Sequence, residues 1–156
     1  MIKRIMFICH GNICRSPMAE FIMKKMVSEK GLSDEFVIAS SATSTEEIWG
    51  GVGNPIYPPA REELKQRGVP FSERRATRLT SADYDKYDML ICMDKRNIRE
   101  ALFILGSDPE GKLSLLLDYT DEGRDVLDPW YSERFDVAFD DIYRGCESLL
   151  KKILDV

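Results

Sequence analysis

With 156 residues, 44% of them hydrophobic and 31% charged, the chain has the composition of one soluble globular domain spanning residues 1–156, with a sizeable core. Its formal net charge of −5, without a basic run or a basic-aromatic stripe, excludes a nucleic-acid-binding surface. The apolar run near the start is too short for a signal peptide or a membrane span, and 4 cysteines in such a chain read as reduced thiols, so the expected compartment is the cytoplasm, with no membrane partner.

In chain order, Ile2 to Ile8 is short and mostly apolar, the pattern of a strand covered on both faces. Cys9-His10-Gly11-Asn12-Ile13-Cys14-Arg15-Ser16-Pro17 comes next, and an amphipathic segment begins near Pro17. In a strand–loop–helix junction of this kind, backbone N–H groups point inward and the helix N-terminus adds partial positive charge, which together cradle a phosphate. Cys9 opens the loop, where its sulfur would face phosphorus as a thiolate; the loop donors, the helix end and a guanidinium all favour that anion. Arg15 closes the loop and can grip two phosphate oxygens with its planar fork. Gly11 permits close backbone approach or positive φ, and Asn12 is the next most tolerant of the left-handed region. Ser16 is an N-cap candidate whose hydroxyl can also donate to the Cys9 sulfur, and Pro17 fits the first helical position.

Met18, Phe21, Ile22 and Met26 recur at helical spacing to about Lys30, with Gly31 as a C-cap candidate. Phe36 to Ala39 reads as a second strand, and Ser40 to Thr45 as a polar loop leaving its end. The glycine-rich stretch Trp49 to Pro55 is expected to be irregular. Pro58 or Pro59 starts a helix that runs to Arg67 and closes at Gly68. Thr80 or Ser81 caps a short helix containing Asp83 and Tyr84. Met89 to Met93 is a third strand, and Asp94 caps a helix holding Ile98, Ala101 and Leu102. Leu113 to Leu117 reads as a fourth strand or a helical turn. From Ser132 a last helix runs to about Leu154, with Phe135, Phe139, Ile142, Cys146, Leu149 and Ile153 on one stripe. Strands alternating with helices imply an α/β fold, a parallel sheet with helices on both faces. Ligands bind such sheets beyond the carboxyl ends of the strands, where the Cys9 loop, the Ser40–Thr45 loop and the Met93–Asp94 junction all lie.

The string from Cys9 to Pro17 resembles the signature loop of the low-molecular-weight protein tyrosine phosphatases, Cys-x5-Arg-Ser with a Gly-Asn pair inside. The resemblance implies a four-stranded parallel sheet flanked by helices, with the loop after strand 1. It also implies that Cys9 is the nucleophile, Arg15 the phosphate-binding arginine, and His10, Gly11, Asn12, Ile13, Cys14 and Ser16 the rest of the substrate-binding loop. The leaving phenolate needs a proton, and 27 Asp plus Glu residues are too many for spacing to choose among. Asp128-Pro129-Trp130-Tyr131 stands out, because Pro129 holds Asp128 extended and two aromatics adjoin it. Family members carry the general acid on an Asp-Pro pair with aromatics after it, which lands on Asp128; Trp130-Tyr131 replaces the more usual Tyr-Tyr.

The chemistry so implied is a metal-free, cofactor-free hydrolysis of aryl phosphate monoesters through a cysteinyl-phosphate, with a bell-shaped pH profile and a mildly acidic optimum. The expected partners are tyrosine-phosphorylated proteins, with inorganic phosphate or other oxyanions in the loop. Trp49, Trp130 and Tyr131 are candidate walls for the phenyl ring, Trp49 within what looks like a glycine-containing insertion. Relatives that act on phosphoarginine carry Thr where this chain has Ile13, which favours phosphotyrosine. An arsenate reductase on this fold would carry closely spaced downstream cysteines, whereas Cys92 and Cys146 are far apart; a non-catalytic phosphopeptide-binding module would lack Cys9 or Asp128. The resemblance further implies that Cys14 can pair reversibly with Cys9 under oxidation. Many members have a histidine after the Ser that matches Ser72, supporting the loop asparagine; here Ser72-Glu73-Arg74-Arg75-Ala76 leaves that role to Glu73 or an arginine. The cluster Arg74, Arg75 and Arg78 otherwise reads as a solvated face.

Overall fold

The structure, a computed structural model, describes residues 2–155. Strand β1 (Lys3–Cys9) is central. Ile5, Phe7 and Cys9 point to one face and Met6 and Ile8 to the other, and all five are buried, which explains the near-continuous apolar run. Helix α1 (Arg15–Glu29) is next, and Gly31 in the left-handed region (φ 71°) ends it. Strand β2 (Phe36–Ala42) pairs parallel with β1.

Beyond β2 the chain makes a two-stranded antiparallel hairpin, β3 (Ile48–Trp49) and β4 (Val52–Gly53), where an irregular stretch was expected. The glycines themselves create it: Gly50 (φ 56°) and Gly51 (φ 80°) both adopt positive φ, as the tight hairpin turn that matches strand twist requires. Helix α2 (Pro58–Gln66), a short helix α3 (Asp83–Lys86), strand β5 (Met89–Cys92) and helix α4 (Lys95–Leu105) come next. Strand β6 (Leu113–Leu115) is shorter than expected, because Leu115 N donates to Asp118 Oδ2 (3.1 Å) and turns the chain into a 3-10 helix over Leu116–Tyr119. The last helical region is split. Helix α5 (Pro129–Ser132) stops where Glu133 takes φ 62° and Ser132 Oγ accepts from Arg134 N (3.2 Å); α6 (Phe135–Leu154) then runs along α1.

The sheet order is β2-β1-β5-β6, all parallel. Chain direction across the sheet therefore reverses at β1, and the carboxyl end of β1 is the switch point where an open α/β sheet forms its crevice. Residues of α1, α2 and α6 cover one face, and Ala101 of α4 with Tyr84 of α3 covers the other. No helix among the described residues is long and apolar enough to cross a membrane.

Gly53 shows how tightly the hairpin is seated. A Cβ there would lie 1.9 Å from the Ala76 carbonyl oxygen, so backbone would have to move. Gly53→Ala is expected to lower stability by about 1–3 kcal/mol, the usual cost of overpacking. Urea unfolding measures this, and an unchanged midpoint would show that the hairpin yields freely.

Candidate active site

The loop between β1 and α1 closes around the Cys9 sulfur. Cys9 is buried, its Sγ lies 3.0 Å from Ser16 Oγ, and the Asn12 amide donates to it at 3.3 Å. Asn12 rather than Gly11 takes the left-handed conformation, with φ 60°. Ser16 is not the N-cap and Pro17 is not the first helical residue. The helix begins at Arg15 after Cys14, whose side chain makes no capping bond, because the Ser16 hydroxyl faces the sulfur instead.

Arg15 is 2% exposed and clamped. Its Nη1 donates to Asp94 Oδ2 and to the Val126 carbonyl, both at 2.8 Å, and Nη2 lies 3.4 Å from Asp128 Oδ2. Nε and Nη2 carry the donors that these two acceptors do not occupy. Burial opposes the guanidinium's charge, but Cys9, Asp128 and Asp94 outweigh it and hold the pKa above its ordinary value. Asp94 is legible in the sequence as the cap of α4, and its Oδ1 does accept from Asn97 N (2.8 Å); its second oxygen, on Arg15, carries no sequence signal.

Asp128 caps α5, accepting from Trp130 N at 3.0 Å, and its side chain is 28% exposed at the pocket mouth. Trp130 packs against Tyr57 (centroids 4.9 Å apart), which lies 6.0 Å from Phe135. Tyr57, which sequence reasoning misses, also ties this wall to the loop through its amide on the Ile13 carbonyl (2.9 Å). Together Cys9, His10, Gly11, Asn12, Ile13, Cys14 and Arg15 with Asp128, Trp130 and Tyr131 line a pocket of about 120 Å³.

The opposite wall differs from expectation. Trp49 is 75% exposed and does not line the pocket; Glu46 and Glu47 do. Side chains alternate along the hairpin, and Ile48 packs inward with Ile13, Cys14 and Ala76, so Trp49 faces out. His10 lines the pocket, with its imidazole between Glu46 Oε2 (3.0 Å) and Glu100 Oε1 (3.2 Å). Burial acts to raise the Glu100 carboxyl, but hydrogen bonds from Thr43 and His10 outweigh it and hold the pKa below its ordinary value. Burial first, then the charges of Cys9 and Asp128, pushes the Cys14 thiol up, so it stays protonated beside the loop.

Of the cluster Arg74, Arg75 and Arg78, the last two are exposed, as a solvated face requires, while Arg74 is half-buried and turned into the loop. Arg74 Nη1 donates to the Asn12 carbonyl (2.7 Å) and Nη2 to Asn12 Oδ1, Arg75 donates to the Gly53 carbonyl (3.0 Å), and Arg78 to the Thr43 carbonyl (3.4 Å). Arg74 thus makes the contact with the loop asparagine that was expected of Glu73 or an arginine. Glu73 is turned away, onto Arg61 (2.6 Å).

A sequence profile described as low molecular weight phosphotyrosine protein phosphatase matches residues 4–155. The low molecular weight protein-tyrosine-phosphatase YfkJ of Bacillus subtilis is 35% identical over 151 residues, covering 96% of this chain and 94% of YfkJ. Its crystal structure aligns with a TM-score of 0.93 at 32% identity, over 99% of this chain and 96% of that one. The low molecular weight phosphotyrosine protein phosphatase of Rattus norvegicus is 33% identical over 155 residues, 96% of this chain and 95% of that protein. Vibrio vulnificus Wzb in complex with benzylphosphonate aligns with a TM-score of 0.83 at 27% identity, over 97% of this chain and 99% of that chain.

Proposed function

The chain belongs to the low molecular weight phosphotyrosine protein phosphatase family, and from that premise we propose that Cys9, Arg15 and Asp128 carry out its hydrolysis of phosphotyrosine. The Cys9 thiolate attacks phosphorus in line, and the S–P bond forms as the P–O ester bond breaks. Arg15 and the loop amides hold the equatorial oxygens through the transition state. Asp128, in its protonated form, gives its proton to the leaving phenolate. Asp128 then takes a proton from water as the water oxygen bonds to phosphorus, and the S–P bond breaks to return the thiolate. The observation that carries this reading is the convergence of three groups on one small pocket: a buried sulfur with two hydrogen-bonding neighbours, a clamped guanidinium, and a partly exposed carboxylate 3.4 Å from that guanidinium. A phosphate dianion seated on Arg15 would compete for its Nη2, freeing Asp128 to reach the ester oxygen.

The benzylphosphonate complex of Wzb, an aromatic ring carrying a phosphonate, supports an aryl phosphate between the loop and the Trp130-Tyr131 wall, with tyrosine-phosphorylated proteins as substrates. The relatives' names support tyrosine dephosphorylation over arsenate reduction or phosphoarginine hydrolysis. Four free cysteines support the cytoplasm as the compartment.

Asp128→Ala tests the acid role. It is expected to lower kcat by about 10²- to 10⁴-fold for a phenyl phosphate, whose leaving group is poor, and by much less for an activated nitrophenyl ester. Steady-state rates across a series of substituted phenyl phosphates measure this. Equal losses for all leaving groups would remove Asp128 from proton transfer.

A further inference from the structure

Beside the active-site pocket lies a groove of about 290 Å³, lined by Thr43, Arg78, Arg99, Glu100, Phe103 and Ile104. The two are neighbours in the fold. The Thr43 amide donates to the Cys9 carbonyl (3.0 Å), and Glu100, which lines the groove, lies 3.2 Å from the Nδ1 of His10, which lines the pocket. A polypeptide whose phosphotyrosine is seated on the Cys9 loop can therefore reach the groove with residues further along its chain. The charge of the groove runs against that of the molecule, whose net charge is −5. Glu100 is already engaged, with Oε1 on Thr43 Oγ1 (2.6 Å) and His10 and Oε2 on Arg96 (3.2 Å). Arg78 and Arg99 are exposed, and neither has a carboxylate partner among the described residues. Arg78 Nε donates to the Thr43 carbonyl (3.4 Å), which leaves both its Nη groups open to a ligand. Phe103 adjoins them and is 88% exposed, the most of any large apolar side chain among the described residues. The fold does not need a ring there, because α4 packs on the sheet through Ile98 and Ala101. Two open guanidiniums accept carboxylates in fork geometry, and a bare ring accepts an apolar side chain.

We propose that this groove docks the flank of the phosphorylated substrate, a stretch in which acidic residues adjoin an apolar one, and that Arg78, Arg99 and Phe103 are specificity residues for the reaction. Arg78 and Arg99 take the carboxylates and Phe103 covers the apolar side chain. Glu46 and Glu47 line the pocket mouth, so a carboxylate directly beside the phosphotyrosine meets like charge. The preference is thus for acid placed at a distance along the substrate. Docking away from the reacting atoms stabilises bound substrate and transition state equally, so it lowers KM and leaves kcat unchanged.

The inference rests on the phosphatase reading, and p-nitrophenyl phosphate, which has no flank, keeps the two apart. The test uses phosphotyrosyl peptides carrying an Asp-Glu-Phe block, or Gln-Gln-Ala in its place, moved one residue at a time away from the phosphotyrosine on each side. At the best position the acidic block is expected to raise kcat/KM by about 5- to 30-fold at low salt, the scale of two exposed charge pairs, and to lose most of that gain at high salt. Arg78→Gln combined with Arg99→Gln should bring the two peptides within about 2-fold of each other and leave p-nitrophenyl phosphate hydrolysis within about 2-fold of wild type. Phe103→Ser should cost the acidic peptide a further factor of about 2 to 5 in KM. Should the Arg78 variant not fold, Arg99→Gln alone carries the comparison, because its side chain bonds to nothing in the fold. No effect of the block at any position, a preference that survives in the double variant, or an equal loss on p-nitrophenyl phosphate would overturn the docking role. Self-association that the double variant abolishes, with no peptide preference, would give the groove to a second copy of the chain and overturn it as well. Absence of hydrolysis of p-nitrophenyl phosphate and of every peptide by the wild-type protein would overturn the phosphatase reading, and substrate docking with it.

Discussion

Cys9→Ser is expected to reduce kcat for an aryl phosphate by about 10⁴-fold or more, the scale seen when a covalent nucleophile is removed from its machinery. The serine hydroxyl would sit where the sulfur sits, with the Asn12 amide and the Ser16 hydroxyl beside it. Those donors stabilise an anion, but a hydroxyl holds its proton far more tightly than a thiol, and no general base lies among the groups bonded to Cys9. The variant should still bind oxyanions, because the loop amides and Arg15 are untouched. Steady-state assay together with calorimetric titration of vanadate or phosphate separates the two effects. Residual turnover within about 10²-fold of wild type would mean that another group attacks phosphorus.

Arg15→Lys has the next largest expected effect, a fall in kcat/KM of about 10³-fold or more, within the range that a transition-state arginine supplies in phosphoryl transfer. Charge alone does not replace this side chain. Nη1 serves two acceptors, Asp94 Oδ2 and the Val126 carbonyl, while Nη2 faces Asp128. An ammonium is a compact point donor and cannot serve both of these and a phosphate in fork geometry. The residue is 2% exposed, so the groups it leaves are partly stranded and stability should fall as well. Thermal unfolding in parallel with kinetics distinguishes the two losses: the rate defect should persist at temperatures where the variant is fully folded. Near-normal kcat/KM in Arg15→Lys would show that charge, not the fork, is what the phosphate needs.

The central part of the molecule is legible in the sequence because its signals are local. The apolar run ending at Cys9, the Cys9–Arg15 spacing and the Gly31 stop are contiguous, and each reflects short-range backbone chemistry. Asp128 is legible for the same reason, since Pro129 and two aromatics adjoin it. The illegible features depend on distance along the chain. Arg74 reads as one of a basic cluster, and its contact with Asn12 spans 62 positions. No periodicity marks it; the only hint is the absence of a histidine near Ser72. Trp49 fails differently. A large aromatic near a pocket invites assignment to the wall, but the paired positive-φ glycines fold its segment into a hairpin whose two-residue alternation sends Ile48 inward and Trp49 outward. Glu46 and Glu47, ordinary charged residues by composition, end up lining the mouth. Ser16 shows a third case, in which a good capping residue is diverted to a tertiary partner.

Asp94 carries a consequence for anyone engineering this chain. One of its oxygens secures the first turn of α4 and the other secures Arg15. Replacing it with Ser, a routine swap between good caps, would preserve the helix while unmooring the guanidinium, so under the proposed role of Arg15 a screen for heat resistance would pass an inactive enzyme. The coupling also runs in reverse: fraying of α4 at its start would loosen the catalytic centre, and amide exchange at Asn97 would report active-site order without any substrate present.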